Sequence, residues 1–196
     1  MGILVRQPAD WFQADRKVSM RIGILVALSA LYTVATLACG DDDSAPQGSA
    51  SPLTTFRVEG AGMAPTLENG TLVEVIDYGD STPARGDIIV FRSPVSLNRD
   101  FIKRVIAAPG DTIRISAGQV MVNGDVLDEP YAFGATDCDR YCTQTMPTVG
   151  SPESEAMCGS SACYFVLGDN RPNSSDSRQD WYVPRENIIG WVDVSE

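Results

Sequence analysis

Val120-Met121-Val122-Asn123-Gly124-Asp125-Val126-Leu127 is the stretch whose reading decides the fold. Two short apolar runs flank Asn-Gly, the dipeptide that most readily takes the positive φ values of a two-residue hairpin turn. Outward from this hairpin, whose first arm is 119–122, apolar runs of strand length recur at 71–76, 87–91, 101–106, 112–115, 164–167 and 188–192. They are rich in Val and Ile and are bounded by turn-forming residues, which is the pattern of strands. No amphipathic helix of about ten residues stands out beyond residue 52, and no repeat does. The expected fold class is mainly β. A chain of 196 residues holds one such core plus polar stretches, not two cores, so one domain is expected.

Composition narrows the chemistry. A formal charge of -11 excludes binding to a phosphate backbone, which needs clustered cations to displace counterions, so no nucleic-acid partner is expected. Histidine is absent, which excludes an imidazole base in a Ser-His-Asp or Cys-His arrangement and most zinc hydrolase sites. Lysine occurs only at Lys17 and Lys103, with arginine supplying the other positive charges. A GC-rich genome accounts for the arginine bias but not for the one lysine kept in the β region.

The N-terminal part reads as an address. Residues 22–38 are uncharged and mostly apolar, preceded by Arg16, Lys17 and Arg21 and followed by Cys39-Gly40-Asp41-Asp42-Asp43. That is a secretory pattern, at the lower length limit for a membrane span, with the positive flank holding residues 1–21 in the cytoplasm and the rest outside. Thr36-Leu37-Ala38-Cys39 also resembles a lipobox, in which Cys39 is lipidated and becomes the first mature residue. With Met20-Arg21 directly before the run, a lipoprotein signal of normal length starts at Met20, and residues 1–19 are then a mis-called start. Both readings, uncleaved anchor and lipoprotein signal over 22–39, stay open, and both imply a membrane partner through the N-terminus. Residues 40–52 hold nothing that packs and read as a flexible tether; the domain is expected over 53–196.

Cys138, Cys142, Cys158 and Cys163 fall in a Ser-, Thr- and Gly-rich stretch near 132–163 without hydrophobic periodicity. In an oxidising compartment this even count implies two disulfides that pin an insertion. Spacing does not choose among three connectivities, and the local pairing 138 with 142 and 158 with 163 is a guess. A four-thiolate zinc site is the weaker alternative because such sites use tighter, matched spacings.

Three blocks carry a resemblance. They are Val58-Glu59-Gly60-Ala61-Gly62-Met63-Ala64-Pro65-Thr66-Leu67, then Arg85-Gly86-Asp87 with Phe101-Ile102-Lys103-Arg104-Val105-Ile106-Ala107-Ala108-Pro109-Gly110-Asp111, and Gly168-Asp169-Asn170-Arg171-Pro172-Asn173-Ser174-Ser175-Asp176-Ser177-Arg178. In order and spacing they resemble the type I signal peptidases, serine and lysine proteases that remove signal peptides outside the cytoplasmic membrane. The likeness covers almost all of 56–192. It implies a signal peptidase I-like β fold on the extracytoplasmic face of a bacterial membrane, an extended peptide or signal-peptide segment as partner, and neither cofactor nor metal. Self-cleaving repressors share the serine and lysine chemistry but lack the third block.

By this resemblance Lys103 is the general base, Ser174 hydrogen-bonds and orients it, and Asp176 supports the third block, with Arg178 as its salt-bridge partner. The oxyanion hole comes from the backbone N–H of residue 62 and, in some members, from a hydroxyl at the position of Gly60. The chemistry fits the residue types. A lysine accepts a proton from a serine only when neutral, which burial among apolar groups favours, and an arginine cannot replace it. Alternation along β structure puts Phe101, Lys103 and Val105 on one face and Arg104 on the other, where it can stay paired or wet.

The position of the nucleophilic serine is held by Gly62. Glycine has nothing with which to attack a carbonyl, no serine lies in 59–69, and Thr66 sits four residues on. Loss of one member of such a pair removes nearly all acceleration. Two functions follow: a signal peptidase whose glycine is an error of the record, an engineered trap or a recent lesion, or an inactive lipoprotein relative that still binds extended peptides along a strand edge.

Overall fold

The structure is a computed structural model that describes residues 3–6, 52–140, 142–159 and 161–194. Its strands are β1 (Ile3–Arg6), β2 (Pro52–Glu59), β3 (Leu72–Ile76), β4 (Ile88–Arg92), β5 (Asp100–Ala107), β6 (Thr112–Ser116), β7 (Gln119–Val122), β8 (Asp125–Val126), β9 (Thr143–Thr145), β10 (Cys163–Leu167), β11 (Val183–Pro184) and β12 (Ile188–Val192). Each of the seven expected strands is present with ends within one residue of the expectation. The fold is mainly β. The predicted hairpin forms between β7 and β8, with Asn123 at φ 56 and Gly124 at φ 94, the paired positive values that an Asn-Gly turn supplies cheaply.

The larger sheet runs β2-β3-β12-β4-β5, continues to β10 and β11, and has β1 paired antiparallel to both β2 and β5. β1 thereby closes six antiparallel strands into a ring. One apolar cluster draws Phe56 and Val58 from β2, Val73 and Val75 from β3, Ile88 and Val90 from β4, Ile102 from β5 and Val192 from β12, and so fills that ring. A second packs the other face of β4 and β5 against β10 through Phe91, Phe101, Val105, Tyr164, Val166 and Trp181. A third joins Ile106, Phe165 and Leu167 to Ile113, Ile115, Val120 and Val122 of the smaller sheet, β8-β7-β6-β9.

β5 is therefore the common wall of three clusters and is buried on both faces. Of the two alternatives left open for Arg104, paired or wet, the structure shows the first, because alternation separates two faces without saying whether both are covered. Arg104 is buried and paired.

The cysteines form Cys138–Cys142 and Cys158–Cys163, with Cα atoms 5.6 and 5.8 Å apart. Between them stands a helix of fewer than two turns, α1 (Pro152–Cys158), shorter than the helices sought in the sequence. Ser151 caps it by accepting from Ser154 N–H, Pro152 takes a first-turn position that needs no donor, and Cys158 ends it in a disulfide. Cys39, the apolar run 22–38 and the tether, apart from Pro52, lie outside the described residues. No helix among the described residues is long and apolar enough to cross a membrane.

Candidate active site

β2 leads into a tight turn at residues 62–66, where Ala64 N–H donates to Ala61 and Leu67 N–H to Met63. Gly62 is buried in this turn and is not among the glycines with positive φ, so a side chain there meets no left-handed strain. Gly60 differs. Its φ is 86° and its N–H donates to Asn69 Oδ1 at 2.8 Å, so at this position glycine relieves a backbone that a hydroxyl-bearing residue would strain.

The third block packs directly on Gly62. Asn170 N–H donates to the Gly62 carbonyl at 3.2 Å. A Cβ built on Gly168 would collide with that same carbonyl and with the Ser174 side chain, which explains why residue 168 has none. Asp176 holds the block together: its carboxylate accepts from Gly168 N–H at 3.2 Å and from Arg178 Nε and Nη2 at 2.8 and 2.9 Å. The salt bridge between Asp176 and Arg178 implied by the resemblance is thus present.

Lys103 enters from β5. Its side chain is wholly buried, with Nζ 5.7 Å from the centre of the Phe101 ring. Burial pushes the amine down to about 8, while the charges of Asp176 and Asp169 pull it part of the way back. The neutral base that the chemistry requires is therefore available near neutral pH. Register aligns it with the turn: Ile3 of β1 lies opposite both Glu59 and Phe101, so Gly62, three residues past Glu59, and Lys103, two past Phe101, sit towards the same end of the ring.

The hydrogen bond from Ser174 to Lys103 is not formed. Lys103 Nζ donates to the carbonyl of its neighbour Ile102 at 2.8 Å, and Ser174 Oγ is buried without a partner. Thr66 is also spoken for, because its hydroxyl donates to Asp169 Oδ2 at 2.5 Å. Asp169 in turn receives Arg104 Nε and Nη2, and the Arg104 guanidinium stacks 3.8 Å from the Tyr131 ring.

Sequence reasoning gave Asp169, Tyr131 and Glu129 no role. Asp169 lies inside a quoted block, but its partners are 65 and 103 residues away. Glu129 pairs with buried Arg171, which also donates to Thr136 and to the Gly168 carbonyl. Among the described residues no cluster of His, Cys, Asp and Glu could hold a metal ion.

Residues 49–195 match the family model described as signal peptidase, peptidase S26. The chain is 41% identical over 137 residues to a signal peptidase I of Leptolyngbya laminosa, covering 65% of this chain and 61% of that protein. It thus spans about three fifths of that relative's length. With a signal peptidase I of Bacillus caldolyticus it shares 38% identity over 148 residues, covering 71% and 77% of the two chains. The crystal structure of a signal peptidase I from Enterococcus faecalis V583 is similar with TM-score 0.43 at 29% identity, over 58% of this chain and 98% of that one.

Proposed function

The chain belongs to the S26 signal peptidase family, and from that we propose that its β domain binds an extended peptide, such as a signal-peptide segment, beside a preserved base without cleaving it. The observation that carries this is the pairing of a fully buried Lys103 with a glycine at residue 62. Neither nearby hydroxyl offers itself as a substitute, since Thr66 is tied to Asp169 and Ser174 Oγ is enclosed beside Gly168.

The peptide's seat is the gap that β1 fills. Among the described strands only β1 stands between the facing edges of β2 and β5, and the backbone of Ile3–Arg6 fits there as an antiparallel partner of both. A strand bound this way takes main-chain hydrogen bonds from two edges at once, a mode that is tolerant of sequence. With residues 22–38 in a bilayer, either as an uncleaved anchor or replaced by a lipid on Cys39, residues 3–6 are kept from the slot or removed, and it is left to a peptide outside the cytoplasm.

Catalysis would need an oxygen on residue 62, a neutral Lys103 to take its proton, and the backbone N–H of residue 62 facing the developing oxyanion. Turning Lys103 from the Ile102 carbonyl to Ser174 would complete the orientation. Incubation of the full chain in detergent with a signal-peptide substrate tests the proposal. Binding without product supports it, and steady turnover by the unaltered chain overturns it.

A further inference from the structure

Residues 135–140, in the cysteine-bearing stretch, face residues 171–179 of the third block across a cleft of about 660 Å³, room enough for a long side chain. The outer wall is fixed at three places. The Thr136 hydroxyl is bonded to buried Arg171, the Asp137 carbonyl accepts from Arg178 Nη1 at 3.2 Å, and Cys138 is tied to Cys142 by a disulfide. The opposite wall includes Ser174 and Gln179, whose side-chain carbonyl accepts from the Ser175 hydroxyl at 2.7 Å.

Five charged side chains line the cleft, and two of them are already neutralised. Arg171 is paired with Glu129 and Arg178 with Asp176. Asp137, Asp139 and Arg140 remain, all exposed and none in an ion pair among the described residues. Two carboxylates against one guanidinium leave the rim with an excess of negative charge, in a chain whose overall charge is -11. A cation is favoured there and an anion opposed.

Ser174 joins this cleft to the candidate site. A Cβ on Gly168 would touch both the Ser174 hydroxyl and the Gly62 carbonyl, so those two groups are neighbours. β2 advances from Pro52 towards Gly62 and β5 from Asp100 towards Lys103, and both run antiparallel to β1. A strand held between them therefore leaves the slot at the end where Gly62 and Ser174 sit. An extended chain advances about 3.3 Å per residue, so a side chain a few residues past Gly62 comes within reach of the cleft.

We infer that the cleft takes a lysine or arginine side chain of the bound peptide, from the few residues beyond the one that faces Gly62, and that Asp137 and Asp139 select it. Arg140 tempers the attraction and repels the same cation. The inference rests on the reading of the slot as a peptide site and adds a preference that the slot lacks, since main-chain pairing is tolerant of side chains.

The test measures fluorescence anisotropy of one labelled signal-peptide sequence with the full chain in detergent, the peptide carrying Lys, Ala or Glu at each position in turn. At 50 mM salt at least one position should bind with Lys ~5-fold tighter than with Glu, Ala lying between. The difference should shrink at 500 mM salt, where exposed charges are screened. Asp137→Asn with Asp139→Asn should remove it while affinity for the Ala peptide stays within about twofold, and Arg140→Gln should enlarge it. Equal binding of the three peptides at every position overturns the inference and leaves the slot standing, as does a Lys preference that survives both Asn substitutions. Absence of binding by any of the peptides overturns the reading of the slot and the inference with it.

Discussion

Arg104 and Asp169, 65 positions apart in the sequence, meet through two parallel hydrogen bonds, Nε to Oδ1 at 2.9 Å and Nη2 to Oδ2 at 2.7 Å. Thr66 adds a third donor to the same carboxylate. The pair ties β5 to the third block and to the turn that carries Gly62, so it acts as a fastener for the whole site. Asp169→Asn leaves a buried guanidinium without its counter-charge and should cost about 3 kcal/mol of unfolding free energy, read from urea denaturation. A loss under ~0.5 kcal/mol would contradict the fastening role.

Gly62→Ser should turn binding into cleavage. The φ at residue 62 accepts a side chain, and the base is already buried nearby. Product from a signal-peptide substrate should rise ~100-fold or more above background. Adding Lys103→Ala, or Lys103→Arg, should abolish the gain, since arginine keeps the charge and cannot give up its proton. A folded Gly62→Ser protein without activity would mean that the remainder of the site no longer supports the reaction.

The revived enzyme should follow the protonation of Lys103. Its active form is the neutral amine, and with the amine pushed down to about 8 the value of kcat/KM should rise about tenfold per pH unit below that point and level off above it. A flat profile between pH 6 and 8 would exclude Lys103 as the base.

Stability carries the same signature with its own sign. Between pH 8 and the ordinary lysine range the unfolded chain binds a proton at residue 103 that the folded chain has released, so stability rises with pH there and the contribution is lost as pH falls. From pH 7.5 to 9.5 the gain of wild type over Lys103→Met should be about 2 kcal/mol. Above pH 10 the slope reverses, because burial holds the phenols of Tyr78, Tyr131 and Tyr164 above their usual range and the folded state keeps those protons longer.

Gly168→Ala should push Ser174 and the Gly62 carbonyl apart. A stability cost of about 2 kcal/mol is expected from the overpacking, together with a drop in activity of the Gly62→Ser enzyme of at least ~10-fold. Thermal unfolding and initial rates on one preparation separate the two effects.

The strands were legible because each carries its own signal: a few Val and Ile residues, a turn on either side, and at 123–124 a dipeptide with one favoured geometry. The family was legible for a different reason, namely that three short blocks resemble a known one, and the candidate site residues rest on that resemblance. What no local signal carries is which surface covers a strand. β5 is covered on both faces, by β10 from more than 50 positions later and by the smaller sheet, whose β6 begins five residues past β5. The direction of the Lys103 amine was equally hidden, since a backbone carbonyl one residue away competes with Ser174 for it and only packing decides. The α1 helix had its cap and proline in plain view, but seven residues do not generate a hydrophobic stripe to read.

A barrel with one removable stave has a practical side. When nothing occupies that place, the β2 and β5 margins present bare N–H and C=O groups, and naked margins are where sheets of separate molecules fuse. On the proposed reading of this place as a peptide slot, the same opening also limits how concentrated a vacant preparation can be kept in a monomeric state. A short extended peptide in the storage buffer would act as a stopper, sealing each molecule against its neighbours.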